Sequence, residues 1–203
     1  EVSSMIEGSV IHPLVIFFAS IITSNMVLTN FLGMCSYISI SNEYKTASGL
    51  GQAVLIVMSL TTVFNWLIDY FIIVPLGLVY LRYIIFIVVI AATVQILEMF
   101  LDRYFPTLYN SLGIFLPLIT VNCAIFGVSL FMVIRRYSFF QAVCFGIGSG
   151  LGWWLAISIL AAIRHKIKGN KLPAGVTEPA IAFITTGIIA LAFLGFSGIF
   201  IIQ

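Results

Sequence analysis

Apolar residues run along this chain in long blocks, separated by single charges or short polar clusters. Uncharged stretches cover Gly8–Asn42, Thr46–Ile68, Tyr70–Leu81 with Tyr83–Leu97, Thr107–Ile134, Tyr137–Ile163 and Pro179–Gln203. About 20 residues cross a 30 Å hydrocarbon core as a helix, so every block is long enough. Arg82 interrupts the third near its start, just after Pro75 and Gly77. The pattern predicts six transmembrane helices, at roughly 13–38, 49–71, 78–100, 108–133, 139–164 and 180–202.

Two blocks are too long for one straight crossing. Gly8–Asn42 has 35 residues and Thr107–Ile134 has 28. At 1.5 Å per residue these would be helices of about 52 Å and 42 Å. Each contains a breaker, Gly33 in "NFLGMCS" and Pro117 in "IFLPLITVNCAIFG". Proline removes an amide donor and crowds the preceding turn. The first and fourth helices are therefore expected to be broken or re-entrant near mid-membrane, with the freed backbone satisfied by protein, because lipid offers no partners. With breaks in helices one and four the chain divides three plus three. An odd number of crossings per half turns the second half over, which is the arrangement of an inverted repeat. The expected fold is all-α, a single polytopic membrane domain over residues 1–203, with repeats at about 10–101 and 105–203.

Composition agrees and narrows the function. Of 203 residues 62% are hydrophobic and 8% charged, against about 25% charged in a soluble domain. No polar block could fold as a nucleotide- or substrate-binding lobe, and a net charge of +2 is too small to imply nucleic acid. The chain begins with Glu1 rather than Met, which leaves the true N-terminus open, and carries no signal peptide with a cleavage site. Six crossings put Arg82, Arg135 and Arg136 on one side, and Lys45, Arg103, Arg164, Lys166, Lys168 and Lys171 on the other. Three against six places the second side in the cytoplasm and both termini outside.

The candidate chemistry lies beside the breaks. Cys35 and Cys123 occupy corresponding places in the two halves. If an axis in the membrane plane relates the halves, the breaks meet near the midplane and the thiols become neighbours. Opened helices would then aim backbone amides at thiolates, with Asn122 as a further donor or backbone lock. Mid-membrane negative charge is costly unless a metal neutralises it. Two sulfurs are half of a four-ligand site, so a second chain would supply the rest. Cys144 lies away from either break. Free buried thiols, packed as small hydrophobes, are the competing reading.

"FLGMCS", "VQILEMFLDRYFPTLYNSLGIFLPLITVNCAIFG", "GIGSGLGWWLAI" and "FITTGIIALAFLGFSGI" make the chain similar, from about Asn25 to Ile199, to the family of E subunits of sodium-translocating NADH:quinone reductases. The A subunit of the related Rnf complex is the close alternative; "LITVNC" and "GSGLGWW" favour the E type. Two departures stand out. Ser36 follows "FLGMC", where the family mostly has Pro, Thr or a similar residue, and the loop "RHKIKGNKLPAGVTEPA" differs from the usual one. The resemblance implies six helices in two inverted halves, in a multi-pass protein of the bacterial inner membrane. It also implies pairing with the homologous D subunit and assembly with the A, B, C and F subunits. Cys35 and Cys123 would supply two of four ligands to an intramembrane 2Fe–2S or other iron centre that relays electrons across the bilayer. FMN, FAD, NADH and ubiquinone would belong to other subunits, so this chain would serve the reductase without being catalytic alone.

Other polar residues carry two readings each. Glu98, with Gln95 near the end of helix three, is an ion-path candidate or an interface contact beside Asp102 and Arg103. Asp69 reads as a boundary charge. Asn25, Asn30 and Asn65 suit hydrogen bonds between helices. "GIGSGLG" superficially resembles a phosphate loop but follows no strand, so Gly148 and Gly152 read as close helix packing. His12 and His165 are expected at ends or loops. No nucleotide-binding, catalytic-triad or flavin-attachment motif is present. A small inverted-repeat transporter and a purely structural subunit with inert thiols remain the other classes the residues allow.

Overall fold

A computed structural model describes residues 12–104, 116–167 and 178–195, and every regular element among them is helical. In order these are α1 (Pro13–Ile21), α2 (Met34–Ile40), α3 (Tyr44–Ile68), α4 (Arg82–Tyr104), α5 (Leu116–Thr120), α6 (Cys123–Ile134), α7 (Phe139–Ile167) and α8 (Glu178–Leu194). A π-turn over Asp69–Ile73 and a last helical turn at Val74–Leu76 prolong α3, and a 3-10 turn at Val79–Leu81 leads into α4. Four helical stretches are long and apolar enough to cross a membrane: Tyr44–Leu76, Val79–Tyr104, Pro117–Ile134 and Phe139–Ile167. The start expected at residue 108 and the end expected at 202 lie outside the described residues.

Both anticipated breaks exist; the first contains Gly33, while the second lies beyond Pro117. The first spans residues 22–33, between α1 and α2, so Gly33 closes it rather than making it. Its backbone is satisfied internally, as burial in lipid demands. Asn25 Oδ1 accepts from the N–H groups of Val27 and Leu28, and Leu32 N–H reaches back to the Met26 carbonyl at 2.9 Å. Phe31 and Gly33 adopt left-handed backbone, with φ of 56° and 84°. The second break falls at Val121–Asn122, one turn after Pro117. Pro117 lies within α5, which continues past it to Thr120.

α3 and α7 form the centre, packed along their length through small residues. A Cβ on Gly146 would come within 2.8 Å of Thr62, and one on Gly150 within 3.0 Å of Leu55. Gly148 and Gly152 turn a second face of α7 to α1, which bears out their reading as packing glycines. Asn25 Nδ2 donates to the Gly152 carbonyl at 2.9 Å, and Asn65 Nδ2 to Ser129 Oγ at 2.7 Å, so two of the three asparagines do bridge elements. Asn30 contacts only the sulfur of Met26, one turn away. Asp69 lies inside the prolonged helix rather than at its end, paired with Arg82 at 2.8 Å. Outward faces of α4 and α8 are apolar, with Ile84, Ile87, Val88, Phe183, Ile184 and Leu191 exposed.

Candidate functional site

The two breaks meet. Their contact is built from Gly33 and Ser36 on one side and Asn122 and Cys123 on the other. Asn122 caps α6: its backbone is extended and its side-chain oxygen accepts from Ala124 N–H. This is the residue type that best satisfies the free amides of a first turn. Its amide nitrogen is thereby left to donate across to Ser36 Oγ at 3.2 Å, a bond made between two buried groups. Ser36 in turn donates to the Gly33 carbonyl. Ser36 is thus the acceptor that joins the two breaks.

The backbone N–H of Gly33 donates to Cys123 Sγ at 2.9 Å. Cys123 is the first residue of α6 and Cys35 the second of α2, two residues after Gly33. Both thiols are exposed, while Gly33, Ser36 and Asn122 behind them are buried. The Gly33 N–H and the first turn of α6 lie beside the Cys123 sulfur. Gly33 is required twice over. Its φ is left-handed, and a Cβ there would meet Trp153 Nε1 at 2.8 Å and Asn122 Oδ1 at 3.1 Å. Trp153 is fully buried behind the break, and its indole N–H has no partner among the described residues.

Arg164 is the residue that sequence reasoning misses. The charge pattern counts it among the cations of one membrane side, at the end of the helix expected over 139–164, yet α7 runs on past it and it is 5% exposed. Its guanidinium donates to the Ile38 carbonyl at 3.0 Å and to Ser41 Oγ at 2.6 Å. It therefore holds the C-terminal end of the helix that carries Cys35, where a cation complements the unpaired carbonyls. A signal exists in the sequence: Arg164 directly follows an apolar run and can stay in register with its helix.

The other candidates stand apart. Pro117 is exposed on α5, and Cys144 lies within α7. Glu98 is half-buried on α4. His165 is exposed in the last turn of α7 rather than in a loop, and His12 is exposed just before α1. No group of three or more His, Cys, Asp or Glu able to hold a metal occurs among the described residues. The donor set that the breaks bring together is two exposed thiols, which fits a metal group completed from another chain and not one enclosed by this chain.

A family model described as "Rnf-Nqr subunit, membrane protein" matches residues 14–200. The E subunit of the Na(+)-translocating NADH-quinone reductase of Pasteurella multocida is 52% identical over 194 residues, covering 93% of this chain and 98% of the relative. The same-named proteins of Klebsiella pneumoniae and Proteus mirabilis are 50% and 49% identical with the same coverage.

Proposed function

The chain belongs to the Rnf-Nqr family of membrane subunits, and from that premise we propose that it serves as the E subunit of a sodium-translocating NADH:quinone reductase in a bacterial cytoplasmic membrane. Relatives about half identical over nearly their whole length support this. In this reading six crossings form two inverted halves with both termini outside. The α1–α2 break and the α5–α6 break are the equivalent elements of the two halves. The D subunit, of the same family, stands opposite the exposed thiols.

Cys35 and Cys123 bind an iron–sulfur centre of the 2Fe–2S type, with two further ligands from the partner. When bound, such a group supplies one-electron transfer at mid-depth of a layer too thick for one efficient hop. This chain's own part is to place and shield. Asn122 fixes the start of α6 and hence the Cys123 sulfur. The Gly33 N–H offers that sulfur a hydrogen bond. Buried Trp153, Ser36 and Asn122 close the site from behind, so the thiols open toward the partner alone. The observation that carries the proposal is the 2.9 Å bond from Gly33 to Cys123, because it brings both breaks and their cysteines to one exposed place.

Iron and acid-labile sulfide in the purified complex test it. Cys35→Ala and Cys123→Ala should each remove the centre and its paramagnetic signal, while Cys144→Ala keeps both. Full iron content in both single variants would rule the assignment out.

A further inference from the structure

At the end of the bundle where α3 finishes and α6 turns into α7, a cleft of about 950 Å³ opens to the surface. None of the cysteines lines it, and it takes no part in the proposed electron path. Its walls are aromatic: Trp66 stacks on Tyr70 at 5.1 Å and meets Phe139 edge-on, and Trp66 Nε1 is fixed on the Tyr137 carbonyl at 3.0 Å. Such rings at a helix end mark headgroup depth in a membrane protein.

Two guanidiniums line the same cleft. Arg82 spends its Nε–H on Asp69 at 2.8 Å, and its two terminal amino groups carry no hydrogen bond among the described residues. Asp69 is the carboxylate of the cleft and is committed to that pair. Arg136 has no side-chain ion pair or hydrogen bond among the described residues, and its φ of 50° is left-handed, a conformation that costs a non-glycine residue about 1 kcal/mol or more. The cleft therefore holds two cations against one anion. Ser138 and Phe139, which open α7, also line it, so the positive end of a 29-residue helix points the same way. Below this polar rim, exposed Tyr70, Phe71 and Val74 continue the wall along the π-turn.

We propose that this cleft seats an anionic phospholipid, its phosphate between Arg136 and the free edge of Arg82 and an acyl chain along Phe71 and Val74. Charge complementarity selects the head, since guanidinium matches phosphate oxygens. The apolar wall running on from the cations selects a molecule with a tail over a free anion.

The test uses the full chain with the subunits that co-purify, placed in phosphatidylcholine nanodiscs with and without phosphatidylglycerol. Native mass spectrometry should find phosphatidylglycerol retained over phosphatidylcholine. Arg136→Gln should lower that retention about fivefold, the scale of one arginine near an anionic headgroup. Arg103→Gln, an equal charge change on exposed α4, should leave it unchanged, and Arg136→Lys should restore part. A photo-crosslinker at Phe140 should label lipid. Equal retention in Arg136→Gln, no preference between the lipids, displacement by millimolar inorganic phosphate alone, or a crosslink to another subunit would each overturn the proposal.

Discussion

The backbone N–H of Gly33 and the Sγ of Cys123 are 2.9 Å apart although 90 positions separate them in sequence. Either residue alone is unremarkable in a membrane helix. Together they fix how the two interrupted helices face each other, and everything inferred about the thiols depends on that pairing.

Gly33→Ala is the most direct probe of it. An L-residue in left-handed backbone costs about 1–2 kcal/mol, and here the added methyl would also press on Trp153 and Asn122. Stability should fall by about 2 kcal/mol or more, read as a lowered melting temperature in detergent, with iron lost in parallel. An unchanged melt would mean that the break is not packed as described.

Asn122→Ala removes the cap of α6 and the bond to Ser36. The cap alone is worth about 1 kcal/mol. Asn122→Ser, which can still accept from Ala124 N–H, should recover the cap while leaving the bond across the breaks weakened. If Asn122→Ser melts and holds iron like the unaltered protein, the bond across the breaks contributes nothing to the site.

Arg164→Met should destabilise by about 1.5–3 kcal/mol, the value of a hydrogen bond to a charged group. It withdraws the donor from the Ile38 carbonyl. Arg164→Lys keeps the charge and should restore part of the loss. Because Arg164 grips the far end of the Cys35 helix, the signal of the centre should shift in Arg164→Lys even where iron is retained. A spectrum identical to that of the unaltered protein would confine Arg164 to stability.

The helical class and the existence of two interruptions are legible in the block lengths, since one straight crossing could not use 35 uncharged residues. The places of the interruptions are not. Pro117 reads as a breaker, yet α5 runs on past it to Thr120. The chain actually breaks at Asn122, whose capping chemistry ends one helix and begins the next. Gly33 does belong to a break, although it terminates a twelve-residue irregular stretch held by Asn25. The π-turn at Asp69 leaves no periodic mark, and the partners that bury Arg164, Ile38 and Ser41, lie 126 and 123 positions away.

A further pair of variants addresses that long stretch. Asn25→Leu leaves the Val27 and Leu28 amides without their acceptor and the Gly152 carbonyl without its donor. Each buried unpaired group costs about 1–3 kcal/mol, so this variant should be among the least stable, falling below Asn65→Leu, which loses one bond to Ser129. Accumulated protein in membranes and thermal melts would show the order.

Asn25 also sets a timetable for synthesis. Its acceptor on Gly152 lies 127 residues downstream, so at 5–20 residues per second the ribosome is still on the order of ten seconds from making it. During that interval the irregular segment after α1 lacks its permanent neighbour. The first broken element is therefore finished only when the fifth apolar block arrives, and the nascent chain must be sheltered from lipid until then.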